Sequence, residues 1–383
     1  MKKLASAGIF FALFFFLFAA TSHAVYDPLS LPNNKFGIHI LFDSELLKAS
    51  QLVNSTGGEW GYVLIPIQAG DKDLTKWQKF MDECKKYKII PIIRLATEGD
   101  YFNTKVWRKP KEEDVLDFAN FLSSLSWPVK NRYIIVFNEV NRADEWGGTL
   151  NPKEYAGILS YAVSVFKSKS DEFFIISAGL DNAAPNGSQY MNEYDYMRAM
   201  NNSLPGIFNQ VDGLSSHSYP NPAFSQPPSS TTLQSAISFR YERELAQSLS
   251  TKSLPVFITE TGWTDGVGDE KRAAYYKEAF ERLWSDPSVV AVTPFLLRAG
   301  SGPFKQFTFL KDDDSPTMQH DMIKQLPKIK GRPRIPQTVL GTEEEPIARQ
   351  APVVYFAQNT EEEQKIGVTN ILQGTFSWIM KLN

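Results

Sequence analysis

Residues 133–139 have the sequence Tyr-Ile-Ile-Val-Phe-Asn-Glu, in which an unbroken apolar and aromatic run is followed by two polar residues. An unbroken run, rather than an alternating one, is typical of a strand covered by helices on both faces, as strands of parallel sheets are. Similar runs occur throughout the chain, at residues 36–40, 62–67, 89–95, 173–178, 211–217, 255–259 and 289–296. The sequence therefore predicts eight buried parallel strands.

Amphipathic stretches separate these strands and predict helices, for example over residues 112–122, 152–161 and 270–280. Asn151 is placed to cap the second of them, with Pro152 at the first helical position. Strand and helix alternate over about 290 residues, which favours an α/β fold of the (β/α)8 TIM-barrel type, typically built from about 250. The alternative is an open doubly wound sheet, but no glycine-rich turn follows the first strand.

The N-terminal residues 1–24 resemble a secretory signal peptide. Lys2 and Lys3 precede an apolar run over residues 8–20, and small residues lead to Ala24. The run is shorter than the roughly 20 residues of a membrane span. We expect a secreted or periplasmic protein without an integral membrane domain beyond this segment; an uncleaved N-terminal anchor is the alternative.

The predicted barrel occupies residues 25–327, and a linker and C-terminal tail are predicted over residues 328–383. Residues 328–351 are rich in Pro, Lys, Arg and Glu, which is typical of a linker. Apolar patches return at residues 353–356 and 376–380. A segment this short cannot bury a core alone, so its role stays open.

Composition excludes two other classes of protein. Cys84 is the only cysteine, so no intramolecular disulfide can form, and its place in a predicted helix favours a buried apolar role over a catalytic thiol. The formal charge of −3 becomes −5 when Lys2 and Lys3 leave with the signal peptide (−3 − 2 = −5). The chain has no basic stripe, so no nucleic-acid partner is expected.

Functional groups of a barrel lie where its strands end, at the carboxyl-terminal face. Polar residues concentrate there in this chain: His39, Arg94, Asn138, Glu139, Asp181, Asn182, His217, Tyr219, Glu260 and Arg298. Glu139 follows strand four and Glu260 follows strand seven, so both are expected at one cleft. Such a pair suits glycosidic cleavage, in which one carboxyl group protonates the leaving oxygen while the other is ionised.

The pattern Asn138-Glu139, together with Ile258-Thr259-Glu260-Thr261-Gly262-Trp263, resembles the clan of retaining (β/α)8 glycoside hydrolases. This clan includes family 5 cellulases and mannanases, family 39 enzymes and family 53 galactanases. The resemblance covers residues 34–326. It implies that Glu139 is the acid/base and Glu260 the nucleophile of an O-glycosyl hydrolase that acts on β-linked poly- or oligosaccharides by double displacement.

The resemblance also implies sugar-binding residues. Asn138 matches an asparagine that holds a sugar hydroxyl, Tyr219 matches a tyrosine bonded to the nucleophile, and His217 accompanies it. The further substrate-binding candidates are Arg94, His39, Trp263, Trp146 and Phe295. Many clan members have a tryptophan after strand eight, where this chain has Phe295. This difference weakens the assignment of cellulose as the substrate by analogy with cellulases.

Two alternatives retain the same residues. One is a catalytically silent carbohydrate-binding barrel, and the other is a transglycosylase. The sequence lacks the Gly-x-Ser-x-Gly turn of the serine hydrolases, which argues against that class. The two glutamates with His217 could contact a metal ion, but no helical ligand pair supports a metal site, and no cofactor is expected.

Overall fold

The computed structural model describes residues 25–300 and 302–336. The predicted signal peptide and the tail from residue 337 lie outside the described residues. All eight predicted strand regions contain parallel strands: β1 (Gly37–His39), β2 (Gly61–Gln68), β3 (Ile89–Ala96), β4 (Arg132–Ile135), β5 (Phe173–Ile176), β6 (Leu214–His217), β7 (Val256–Glu260) and β8 (Val289–Val292). The strand predictions are confirmed, with ends that differ by a few residues.

The strands follow one another in chain order around a ring. β1 to β5 form one continuous sheet and β6 to β8 another. A parallel bridge between Ile176 and Gly213 joins the two sheets on one side, and a bridge between Phe36 and Val292 joins them on the other. Sequential order with joins at both seams is the arrangement of the predicted (β/α)8 barrel.

The connecting segments contain helices α1 (Leu46–Val53), α2 (Leu74–Tyr87), α3 (Glu112–Ser123), α4 (Pro152–Lys169), α5 (Glu193–Ser203), α6 (Ile207–Gln210), α7 (Ser238–Ser248), α8 (Asp269–Glu278) and α9 (Met318–Gln325). The predicted cap of α4 is confirmed, since the Asn151 side chain accepts a hydrogen bond from Glu154 N and Pro152 is the first helical residue. Asp73 caps α2 in the same way.

Residues of β2, β3, β4, β5 and β7 alternate between two separate apolar layers. One layer, made mainly of strand residues such as Tyr62, Tyr133, Phe174 and Phe257, fills the inside of the ring. The larger layer joins the other strand face to the helices. Cys84 belongs to this outer layer and is buried, as predicted. Burial on both faces explains why the strand sequences are continuously apolar.

Residues 328–334, predicted as the start of a linker, pack against the barrel instead. Lys328 Nζ donates hydrogen bonds to the carbonyl oxygens of Ile323 and Leu326 and so caps the C-terminal end of α9. Gly331 N donates to Glu59 O. These contacts extend the folded barrel beyond the predicted boundary at residue 327. The polar composition of these residues did not predict such contacts, because the contacts are hydrogen bonds from a charged side chain and from the backbone to other backbone groups.

Both ends of the described chain meet beside the amino end of β4. Asn131, just before that strand, exchanges hydrogen bonds with the backbone of Tyr26. Arg334 N donates to the Tyr26 hydroxyl at 3.1 Å, and Lys130 N donates to Arg334 O at 2.8 Å.

The described helices include none long and apolar enough to cross a membrane.

A buried acidic pair behind β6 makes stability sensitive to pH. Burial and the charge of Glu242 raise the pKa of Glu193 well above its ordinary value, and burial raises the pKa of Glu242 to about 7. At these two residues the folded state therefore binds more protons than the unfolded state above about pH 4.3, the ordinary pKa of Glu. From there, stability falls as pH rises through the raised pKa values.

We expect the Glu193→Gln variant to flatten this decline, because an amide cannot ionise. The check is the free energy of unfolding from denaturant titrations between pH 5 and pH 9, values chosen about the ordinary and raised pKa of Glu. Glu244→Gln, on the exposed side of α7, serves as the control and should keep the wild-type slope. Parallel curves for wild type and Glu193→Gln would contradict the prediction.

Candidate active site

Three strands deliver the central groups to the carboxyl-terminal face of the barrel. Glu260 is the last residue of β7 and His217 the last of β6. Glu139 lies in the turn after β4, where Phe137 and Glu139 both have positive φ, 69° and 36°. Glu139 N donates to Gly179 O at 2.9 Å, which fixes this turn against the segment after β5. Non-glycine residues in this conformation are costly, and such residues concentrate at functional sites.

Glu139, His217 and Glu260 form one compact cluster. His217 Nδ1 lies 3.0 Å from Glu139 Oε1 and 3.9 Å from Glu260 Oε2. One carboxylate oxygen from each glutamate and the His217 nitrogen all lie within 4.8 Å of one another. The two acids predicted to meet are therefore on the same face and close enough to contact one small group between them.

The surrounding side chains hold the two glutamates differently. The Tyr219 hydroxyl donates to Glu260 Oε2 at 3.1 Å, and Arg94 Nη1 lies 3.9 Å from Glu260 Oε1. Arg142 Nη1 lies 3.4 Å from Glu139 Oε2. The structure thus brings Arg94 and Tyr219 to the predicted partner. Arg142 is a cationic neighbour of Glu139 that sequence reasoning missed.

Burial raises the pKa of both glutamates, and the neighbouring charges decide the net direction of each shift. Burial raises the pKa of Glu260, helped by the charge of Glu139 and opposed by His217 and Arg94. Burial also raises the pKa of Glu139, but the hydrogen bond with His217 and the charge of Arg142 outweigh it and leave this pKa below its ordinary value. Groups this close titrate as one unit, so the proton count belongs to the cluster.

The pKa values of the two histidines of the site are shifted in opposite directions. Burial lowers the pKa of His217, but the charges of Glu260 and Glu139 outweigh this and raise it above its ordinary value. For His39, which is fully buried, burial and the charges of Arg94 and His217 lower the pKa well below the ordinary range. His39 Nδ1 lies 3.6 Å from Glu260 Oε1, and neither ring nitrogen of His39 has a hydrogen-bond partner among the described residues.

Glu139 and Glu260 line a cleft with a volume of about 240 Å³. Asn138, a predicted sugar ligand, lines this cleft, and its Oδ1 has no hydrogen-bond partner among the described residues. Aromatic side chains form much of the wall: Tyr101, Trp107, Tyr219, Phe224, Phe295, Phe304 and Phe307. Phe295 is placed as predicted. Sequence reasoning missed the others except Tyr219, although the concentration of aromatic residues over residues 101–107 was a usable signal.

Two further acids line the cleft. Burial and the charge of Glu139 raise the pKa of Glu145 to about 8, and the same causes raise the pKa of Asp181 above its ordinary value. Asp181 was a predicted site residue, whereas Glu145 was not. Asn182 does not reach the cleft; it is buried and its Nδ2 donates to Tyr219 O. Asn182 therefore supports the strand-six loop instead of contacting a ligand.

Both tryptophans predicted as sugar platforms are fully buried, and those predictions are wrong. Trp263 packs against Tyr276 and Trp284, and its Nε1 donates to Gln226 O. Trp146 packs edge-on against Phe137 and Tyr155, and its Nε1 donates to Glu154. In each case the ring faces helices behind the barrel mouth, since an indole with a satisfied N–H is well suited to a core.

Arg298 also lies outside the cleft lining. Its guanidinium donates to Lys311 O at 3.0 Å and pairs with Asp314, so it closes the loop after β8.

Among the described residues, the cluster of Glu139, His217 and Glu260 is the one group whose donors could together reach a metal ion. Arg94 and Arg142 add positive charge beside these donors, which opposes the binding of a cation.

Gly179 is a positioning residue that sequence reasoning missed. A Cβ atom at this position would overlap Cδ2 and Nε2 of His217, so only glycine lets the segment after β5 pass the imidazole. We expect Gly179→Ala to displace His217 from Glu139 and to lower stability by about 1–3 kcal/mol. The measurements are the free energy of unfolding and the NMR titration of His217.

Gly157 in α4 provides the matched control, because a Cβ atom there meets no neighbour within 4 Å. Gly157→Ala should leave the His217 titration unchanged. An unaltered His217 titration in Gly179→Ala would show that the ring tolerates the added methyl group.

No protein-family model matches the chain, and no curated protein matches it. Among solved structures, a GH39 β-xylosidase from Caulobacter crescentus aligns with a TM-score of 0.55 and 16% identity, over 77% of this chain and 71% of that one. The endoglucanase Cel5A from Thermotoga maritima aligns with a TM-score of 0.54 and 13% identity, over 78% and 100%.

A glucosidase from Croceicoccus marinus aligns with a TM-score of 0.51 and 12% identity, over 69% of this chain and 59% of that one. At these identities the likeness concerns the fold. It confirms the α/β barrel class predicted from the strand pattern. The three neighbours, named as a xylosidase, an endoglucanase and a glucosidase, share this fold with the chain.

Proposed function

We propose that this protein is a retaining glycoside hydrolase that cleaves β-linked poly- or oligosaccharides. One observation carries the proposal: Glu139 follows β4 and Glu260 ends β7, yet the two bring carboxylate oxygens within 4.8 Å of each other at the cleft. Carboxyl groups about 5–5.5 Å apart suit double displacement, whereas inversion needs about 6.5–9.5 Å to admit a water. The three aligned neighbours above are named as a xylosidase, an endoglucanase and a glucosidase, which supports β-linked glucose or xylose units as the substrate class.

In the first step, Glu260 attacks the anomeric carbon and forms a glycosyl ester while the leaving oxygen takes a proton from Glu139. In the second step, Glu139 removes a proton from water, whose oxygen attacks the anomeric carbon and releases Glu260. The Tyr219 hydrogen bond and Arg94 stabilise the ionised nucleophile. Asn138 Oδ1 is free to accept a sugar hydroxyl.

His217 accounts for the proton that Glu139 must provide. His217 Nδ1 lies 3.0 Å from Glu139 Oε1, and the charges of Glu260 and Glu139 raise the pKa of His217 above its ordinary value. A proton can pass along this hydrogen bond from His217 Nδ1 to Glu139 Oε1, and Glu139 then gives a proton to the leaving oxygen.

The test is a screen of β-glucans, xylans and mannans, with NMR detection of the anomer that is released first. Newly formed β-anomer supports retention, and α-anomer contradicts it. Binding without any product would favour a carbohydrate-binding barrel. Products longer than the substrate, formed without free sugar, would favour a transglycosylase.

We also propose that the enzyme acts outside the cytoplasmic membrane. The basic, apolar and small-residue pattern of residues 1–24 supports export. N-terminal sequencing of the protein from periplasm or medium is the direct check. A mature chain that begins near Val25 is the expected result, and a chain retained in the cytoplasm with Met1 intact would contradict export.

A further inference from the structure

A second depression adjoins the catalytic cleft. It has a volume of about 330 Å³ and is lined by loops that follow β1, β2 and β3. Leu41 and Tyr101 belong to the walls of both cavities, so the two are direct neighbours. The depression therefore lies where further units of a molecule held between Glu139 and Glu260 would reach, past Tyr101.

Aromatic side chains continue along the same path. Trp107 and Tyr101, in the loop after β3, have ring centroids 5.9 Å apart, and Tyr101 meets Phe42 edge-on at 6.4 Å. Phe42 leaves 50% of its surface exposed at the outer end of this row. A large exposed ring that continues a binding cleft offers a flat apolar face for a ligand.

Polar groups beside Phe42 suit a neutral, hydroxyl-rich ligand. Lys76 Nζ pairs with Asp71 at 2.6 Å and with Asp43 at 3.7 Å, and these side chains remain 35–40% exposed. Asp100 also lines the depression, so its carboxylates outnumber its one lysine. Exposed carboxylate oxygens accept hydrogen bonds from hydroxyl groups, and the excess negative charge disfavours an anionic ligand. The combination of a ring face and hydrogen-bond acceptors matches a sugar unit.

We propose that this depression, from Tyr101 to Phe42, is a distal subsite that binds further units of the glycan chain whose linkage lies between Glu139 and Glu260. Its preferred substrate is then a chain of several sugars and not a disaccharide. The proposal rests on the proposed function for the position of the cleaved bond, but binding alone can test it.

The experiment measures binding calorimetrically, with Glu260→Gln as the parent to prevent turnover. The probes are cellohexaose, xylohexaose and laminarihexaose, each beside its disaccharide. Adding Phe42→Ala should weaken binding of the preferred hexasaccharide by about tenfold, the loss expected for removing one buried apolar contact face. The disaccharide should lose much less affinity.

Leu116→Ala is the control, since this leucine is 40% exposed on α3 and lines neither cavity. Phe42 is exposed, so its substitution leaves the core intact. Equal losses for long and short ligands, no loss on Phe42→Ala, or no hexasaccharide binding to Glu260→Gln would overturn the subsite. Hexasaccharide binding that depends on Phe42 in a protein without hydrolytic activity would support the subsite and refute the proposed function.

Discussion

Glu260→Gln is expected to lower kcat by about 10⁴-fold or more, since removal of a covalent nucleophile usually costs factors of this size. The amide keeps the size of the side chain and can still contact Tyr219, but it cannot form the glycosyl ester. The measurement is turnover of the best β-glycoside from the substrate screen. Mass spectrometry of the wild type after reaction with an activated 2-deoxy-2-fluoro glycoside should locate the trapped sugar on Glu260.

Glu244→Gln makes the same chemical change on the exposed face of α7 and should retain wild-type kcat. A Glu260→Gln enzyme with wild-type turnover, or a sugar trapped on Glu139, would contradict the assigned roles. The trapping result is informative here, because the pKa of Glu139 is lowered whereas that of Glu260 is raised.

Glu139→Gln should have the second largest effect, and its size should depend on the leaving group. General acid catalysis contributes about 10²–10⁴-fold, so an unactivated oligosaccharide should lose that much turnover. A dinitrophenyl glycoside, whose leaving group needs no proton, should form the glycosyl enzyme at close to the wild-type rate. Pre-steady-state release of dinitrophenol measures this first step.

The second step still requires a base, so steady-state turnover of the dinitrophenyl glycoside should fall, and added azide should restore it by attacking the anomeric carbon. Asp195→Asn, an exposed acid of α5, is the control and should leave both steps unchanged. Equal losses with both leaving groups in the first step would show that Glu139 does not act as the acid.

The fold was predictable because its signal is local. Each strand is buried on both faces, so apolar residues run without interruption, and the polar residue after the run marks the barrel mouth. This is why Glu139, His217 and Glu260 could be placed together from the sequence. Their separation could not, since it depends on the tertiary arrangement of the turn after β4. Their pKa directions could not either, since they depend on neighbours such as Arg142, which lies 3.4 Å from Glu139.

The direction of a side chain in a loop was not predictable. Trp263 follows Glu260 closely in the sequence, but its ring packs behind the mouth, whereas Trp107, far from either glutamate in sequence, lines the cleft. Gly179 gave no signal either, because its importance lies in the missing Cβ beside His217. Such features arise from tertiary packing and not from local pattern.

The meeting of Tyr26 and Arg334 beside Asn131 has a practical consequence. These residues lie at the amino end of β4, whereas Glu139 follows its carboxyl end, so the barrel height separates them. A resin linker or a carrier protein attached at Val25 or at Pro336 would thus approach the barrel from the side opposite its catalytic mouth. Immobilisation at either of these two residues should leave long polysaccharide chains free access to the mouth.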